Sequence, residues 1–185
     1  IPICHYARGH ERDALVRDFI TANVRVPEKV IGDLEGMAAC VENAGNGVRG
    51  LVEEISPAQF AAVADEIVAR SRRAIEQAIE RLPDGVYQSV TTTSGLGAPL
   101  TIACTITVTG RRLAVTFEGS SPLQPIGINV PLCYTQAHTV YPLKCLLAPD
   151  VPNNHGTLEP ITIAAPEGSL LNPRFPAPVA ARHLT

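Results

Sequence analysis

Apolar residues recur at steps of three and four over the first part of the chain, and at steps of two from Val86 onward. The first spacing predicts helices and the second strands. In HERDALVRDFITAN (10–23), Leu15, Phe19 and Ile20 share one side and acids occupy the first turn, which predicts a first helix. Pro27 pushes Val26 toward an extended conformation and then suits the first position of a second helix. That helix carries Val30, Leu34, Met37, Val41, Ala44, Val48, Leu51 and Ile55 as one stripe. It also carries Gly32, Gly36, Gly45, Gly47 and Gly50. Each glycine costs roughly 0.5–1 kcal/mol in a helix interior, so the stretch predicts a long helix with a weak point at 45–47 or a very close packing partner. In SPAQ (56–59), Ser56 reads as the cap of a third helix, Pro57 as its first residue, and Gln59 as the residue that closes a capping box. Phe60, Val63, Ile67, Ala74, Ile75, Ala78, Ile79 and Leu82 continue it until PDG (83–85) ends it.

The period then changes. In LTIACTITVT (100–109), Leu100, Ile102, Cys104, Ile106 and Val108 face one way and the threonines the other. Gly110-Arg111 is a two-residue hairpin loop, and RLAVTFEG (112–119) returns with Leu113, Val115 and Phe117 inward. VYQSVTTT (86–93) supplies a further strand and PITIAA (160–165) a short one. Between them Cys133, Ala137, Val140, Leu143, Cys145 and Leu146 predict a helix opened by Pro131. Strands with one oily face need a cover. The expected fold is therefore α+β: N-terminal helices over residues 1–83 packed on an antiparallel sheet formed by residues 84–185, with one further helix inserted, both parts belonging to one larger domain.

Composition narrows the functional classes. A net charge of −3, from 15 basic and 18 acidic residues, offers no basic stripe for nucleic acid. RSRR (70–73) reads as a solvated helix face. No apolar run approaches the ~20 residues of a membrane helix, and no signal peptide is visible. The first residue is Ile1 rather than Met, so earlier sequence is expected. Five scattered cysteines without a C-x-x-C pair fit reduced thiols in a cytoplasmic protein and argue against a zinc site.

Candidate chemistry is sparse. His155 lies in the polar turn NNHG, beside Asn153 and Asn154, where turn-forming and ligand-binding roles both remain open. Asn129 precedes a helix and reads as a cap or as a ligand group. His138 falls in an apolar helix and reads as a hydrogen-bonded core histidine. His5 and His10 stand near the start, and HERD is not the HExxH of a helical zinc pair. EGSS (118–121) offers Ser120 and Ser121, but no base stands near them in sequence. From the residues alone, nucleophile, base and electrophile cannot be named together.

Four blocks carry a resemblance. TANVRVPEKVIGDLEGMAAC (21–40), RLPDGVY (81–87), VTFEGSSPLQPIGIN (115–129) and PDVPNNHGTLEPITIAAPEGSLLNPRFPAPVAAR (149–182) resemble the hydantoinase B/5-oxoprolinase family in order and spacing. The resemblance implies the central piece of a B-type subunit of an ATP-dependent cyclic amide hydrolase, opening rings of the hydantoin or 5-oxoproline kind. It implies a hydantoinase A-type ATP-binding partner, the remaining parts of the B-type subunit, and ATP with magnesium and a divalent metal in the parent complex. The family's metal motifs of Asp and His have no counterpart here, so this piece is expected to bind no cofactor and to be inactive alone. Thr116 stands where the family commonly has Asp. Asn129, Asn154, His155 and Arg182 are the candidate substrate-binding residues, with catalytic residues unassigned. A non-catalytic scaffold module and a subunit of an ATP-dependent ketone carboxylase are the alternatives. The proline-rich run to Arg182 reads as a stiff connector or as one wall of a groove with Asn172 and Arg182.

Overall fold

The structure is a computed structural model that describes residues 12–95 and 97–184. His5, His10, Cys4 and the start of the first expected helix lie outside them. The chain divides into two compact units, one up to Ala61 and one from Ala62 onward.

The first unit holds helix α1 (Arg12–Asn23), helix α2 (Pro27–Ile55) and the opening turn of helix α3 (Pro57–Glu80). Of the expected α1 stripe, Ile20 is buried, whereas Leu15 and Phe19 stay exposed. An Arg17–Glu35 ion pair joins α1 to α2. Helix α2 is continuous through 45–47, so the expected weak point does not interrupt it. None of its residues is buried, and a Cβ added at any of its five glycines would meet nothing within 4 Å. The close packing that would explain those glycines is therefore not supplied among the described residues. Ser56 turns the chain into α3 with a positive φ of 71°. The Gln59 backbone N–H donates to Ser56 Oγ at 3.5 Å, and the Ser56 hydroxyl donates to Gln59 Oε1 at 3.1 Å. The box thus closes through the hydroxyl, because the Ser56 backbone N–H is already bonded to the Val52 carbonyl.

The second unit is built on a four-stranded sheet in the order β1 (Gly85–Thr93), β2 (Leu100–Thr109), β3 (Arg112–Thr116), β4 (Ile161–Ala164). Strands β1, β2 and β3 pair antiparallel, with Val108 opposite both Gly85 and Leu113. Gly110, at φ 55°, makes the tight β2–β3 connection. Strand β4 runs parallel to β3, with Leu113 opposite Ile161. The sheet is therefore mixed rather than wholly antiparallel. The reason is topological: helix α4 (Leu132–Leu147) lies between β3 and β4 in sequence, and a crossover of that length permits a parallel return. Alternating apolar positions cannot show strand direction.

Ile75 and Ile79 of α3, fully buried, meet Val108, Leu113, Val115, Phe117 and Ile161 in one core, with Leu143 and Leu147 of α4 against it. Each such side chain contributes roughly 1.5–3 kcal/mol on leaving water. Where β3 ends, Ser120 and Ser121 take over the pairing of β2. The Ala103 N–H donates to Ser120 Oγ at 3.1 Å, and the Thr101 N–H donates to Ser121 Oγ at 2.8 Å. These hydroxyls occupy backbone donors of β2 that no strand pairs. Thr116 ends β3, and its Oγ1 accepts from the Glu118 N–H at 3.4 Å.

Candidate functional site

The loop PLQPIGIN leads from the sheet to α4, and its last residue organises it. Asn129 is completely buried. Its Oδ1 accepts from the Gln124 N–H at 2.8 Å, which fixes the amide orientation. Its Nδ2 faces the carbonyls of Gln124 at 2.8 Å, Ile126 at 3.0 Å and Pro178 at 2.9 Å. The first two contacts close the loop on itself, and the third reaches 49 residues along the chain to the proline-rich segment. A second tether lies beside it: the Ala181 N–H donates to the Gly127 carbonyl at 2.7 Å. The backbone comes so close there that a Cβ at Gly127 would stand 3.4 Å from the Ala180 nitrogen. Earlier in the same run, the Gly168 N–H donates to the Asn172 carbonyl and Asn172 Nδ2 donates to the Ala165 carbonyl. The run is thus bound to the 121–130 loop at several points.

Those tethers set Arg182 over α4. Tyr134 and His138, one helical turn apart, stack with ring centroids 4.1 Å apart and planes 21° from parallel. The Arg182 guanidinium carbon stands 5.7 Å from the Tyr134 ring centroid, within cation–π range. Its Nη1 donates to the Val179 carbonyl at 3.1 Å, which further fixes the side chain. Pro142 lies inside α4 and offers no N–H to the His138 carbonyl.

Beneath these groups is a cavity of about 190 Å³. Its floor is apolar, from Ile102, Phe117, Val130 and Leu171. Its rim is polar, from Tyr134, His138, Arg182 and His183. Thr135 and Thr139 also line it, but their hydroxyls donate to the carbonyls of Leu171 at 2.8 Å and Thr135 at 2.7 Å. The lining contains no Asp or Glu. Among the described residues no carboxylate forms an ion pair with Arg182, whereas Arg72, Arg111 and Arg174 are each paired.

Asn154 and His155 lie elsewhere, against α3. Asn154 caps a short 3-10 turn (His155–Thr157): its Oδ1 accepts from the Gly156 N–H at 2.9 Å and its Nδ2 donates to Ser71 Oγ at 2.7 Å. Gly156 is required by contact, since a Cβ there would fall 2.0 Å from the Val68 carbonyl oxygen. The His155 ring is mostly exposed, with Nε2 3.8 Å from Glu159 Oε1, and Glu159 also pairs with Arg72 at 3.2 Å. The four expected site residues thus fall into two places. Asn129 is linked to the segment that carries Arg182 through Pro178, and Asn154 and His155 directly precede the Gly156 contact with α3. His138 is exposed and stacked rather than a core histidine, because the stripe of α4 that meets the sheet passes through Leu143 and Leu147. Tyr134 and His183 carry no mark in the sequence that sets them apart as site residues. The Tyr134–His138 spacing is the available signal, whereas the approach of Arg182 is a product of tertiary folding.

Among the described residues, no three His, Cys, Asp or Glu side chains gather where they could hold a metal ion. No helix there is long and apolar enough to cross a membrane.

Comparison with known proteins gives the context. The family description Hydantoinase B/oxoprolinase matches residues 1–185. A protein of Pseudomonas sp. strain NS671, named as the B-type component of a D-/L-hydantoinase, is 31% identical over 185 residues, covering 92% of this chain and 31% of its own length. The 5-oxoprolinase of Saccharomyces cerevisiae is 44% identical over 63 residues, 34% of this chain and 5% of its own. The chain therefore spans less than a third of these relatives. Among solved structures, the ATP-dependent caprolactamase of Pseudomonas jessenii superposes with a TM-score of 0.79 at 24% identity, over 93% of this chain and 30% of that one. A nucleotide-free acetone carboxylase superposes with a TM-score of 0.59 at 19% identity, over 68% and 19%. Both share the fold.

Proposed function

This chain belongs to the hydantoinase B/oxoprolinase family, and from that premise we propose that it contributes to a B-type subunit opening cyclic amides at the expense of ATP, with an A-type ATP-binding partner. The family match along the whole chain is the observation that carries the reading. Amide resonance makes an unstrained ring resistant to water. Transfer of the γ-phosphoryl group of ATP to the amide oxygen turns that oxygen into a leaving group. ADP leaves in that transfer. A first water then adds at the carbon and the C–N bond breaks, the nitrogen taking a proton, to leave an acyl phosphate. A second water releases phosphate and the carboxylate of the opened product. A divalent metal in the parent complex would supply an activated water, and the described residues supply no ligand set for it.

The residues present here support binding and positioning rather than bond making. The apolar lining of Ile102, Phe117, Val130 and Leu171 suits the methylene edge of a small ring. Arg182, held over Tyr134, suits the charge that accompanies the ring or develops on it. Ser120 and Ser121 are engaged by the backbone of β2 and take no part.

The test is product analysis with the intact B-type protein and its A-type partner, offered hydantoin or 5-oxoproline. Ring-opened product formed together with ADP, independent of bicarbonate, is expected. Opening without ATP consumption, or a carboxylated product requiring bicarbonate, would contradict the proposal.

A further inference from the structure

We infer that helices α1 and α2 form a contact surface for a second copy of this chain, with α2 of the two copies packed antiparallel. The inference is independent of the cyclic-amide reading. It starts from spacing. Val30, Leu34, Met37, Val41, Ala44, Val48, Leu51 and Ile55 follow one another at alternating steps of four and three, an unbroken heptad seam along most of α2. The seam is open: Met37, Val41, Val48 and Leu51 are between 43% and 73% exposed, and none of the 29 residues of α2 is buried. A helix that carries five glycines draws little stability from propensity, so packing has to hold it. Helix α1 supplies part of that packing near the Arg17–Glu35 pair, where Val30 and Leu34 are half-buried. It leaves its own Leu15 and Phe19 exposed. A helical hairpin with apolar side chains exposed on both members covers them by pairing with a like hairpin, the arrangement of a four-helix bundle.

The order of side chains along the seam selects the occupant. Reversed about the point between Glu42 and Asn43, the seam falls on itself: Val30 meets Ile55, Leu34 meets Leu51, Met37 meets Val48 and Val41 meets Ala44. The one small residue is then matched with a larger one. A parallel pair would set Ala44 against Ala44 and leave a gap at the middle layer, against the close packing of interface cores. Antiparallel helices also align their dipoles favourably. The positions that flank the seam between Met37 and Val48 are Ala38, Cys40, Gly45 and Gly47, so no like charges oppose each other there. The acids Asp33 and Glu54 flank it only toward its ends. Such a contact uses the same patch on both copies, as a two-fold dimer requires. Helix α2 is about 44 Å long and touches its partner over a strip about 10 Å wide, roughly 440 Å² of footprint per copy. Leu15 and Phe19 extend it toward the ~800 Å² per partner of a stable complex.

Light scattering of the intact protein reads the mass. Twice the mass of one copy is expected, with association at least a hundredfold weaker in M37E/V48E. E53K, on the far side of α2 from the seam, is the control and is expected to leave the mass unchanged. Circular dichroism shows whether M37E/V48E keeps its helices. Where it does not, cysteine pairing decides. Positions 37 and 48 lie roughly 16 Å apart along one helix, too far for a disulfide, whose Cα atoms stand at about 4.4–6.8 Å. Across the antiparallel contact they are opposite each other. With exposed Cys40 removed, oxidation of M37C/C40S/V48C is expected to give a covalent dimer in which peptide mapping finds the bond between positions 37 and 48. A parent of single-copy mass, a mass indifferent to M37E/V48E in a folded protein, or no bond between positions 37 and 48 would overturn the inference. Loss of stability in M37E/V48E with a single-copy parent would assign the seam to another part of the same polypeptide, which also overturns it.

Discussion

Replacing Asn129 is the perturbation whose consequence follows most completely from the structure. The side chain is fully buried and touches four backbone groups: it accepts from Gln124 and faces the carbonyls of Gln124, Ile126 and Pro178. Asn129→Ala removes one acceptor and both amide hydrogens. At roughly 1 kcal/mol net for each bond lost, and more for a buried group left without a partner, the cost is about 3–4 kcal/mol. For a chain of this size that is a fall in Tm of about 10 °C. Asn129→Asp is the sharper variant. It keeps the shape and the bond from Gln124, but sets carboxylate oxygens against three carbonyls and buries a charge. It is expected to cost at least as much as Asn129→Ala. Urea denaturation of the intact protein, monitored by circular dichroism, reads both midpoints, with an unchanged slope showing that the unfolded state is not responsible. A loss under about 1 kcal/mol for Asn129→Ala, or a milder effect for Asn129→Asp, would refute the view that this amide holds the Arg182 segment.

Other expectations follow from particular contacts. Gly156→Ala places a methyl group against the Val68 carbonyl and is expected to lower stability by about 3 kcal/mol or more in the same denaturation experiment. Ser169 is buried and its hydroxyl has no partner, so Ser169→Ala is expected to be neutral or to stabilise by up to about 1 kcal/mol; a clear loss would contradict this. Burial pushes the Cys104 thiol above its usual 9.0. Maleimide labelling with peptide mapping is therefore expected to modify exposed Cys40, Cys133 and Cys145 well before Cys104. The unfolded chain ionises that thiol first as pH rises past about 9, so the contribution is complete below that pH and fades above it; Cys104→Ser is expected to flatten this part of the stability–pH curve.

Much of the fold was legible because burial imposes period on sequence. The alternation of Leu100 to Val108 read out β2, and the stripe through Ile75 and Ile79 read out the helix that covers it. The direction of β4 was not legible, since ITIA alternates identically in parallel and antiparallel pairs. The α2 glycines predicted a weak point at 45–47, yet the helix runs through it, and the described residues also leave the glycine positions open. At the site, Asn129 and Arg182 each stand out in the chain, but the link between them depends on a contact across 49 residues that no local pattern encodes. Asn154 and His155 stand out as a polar turn. The structure gives that turn a packing reason, the close approach of Gly156 to α3.

The most direct test of the account is steady-state turnover by the intact protein with its A-type partner, comparing R182Q with the parent on 5-oxoproline and on neutral hydantoin. The account predicts that R182Q raises KM for 5-oxoproline roughly tenfold or more while KM for hydantoin stays within twofold. Equal kinetic constants for parent and R182Q on both rings would contradict it.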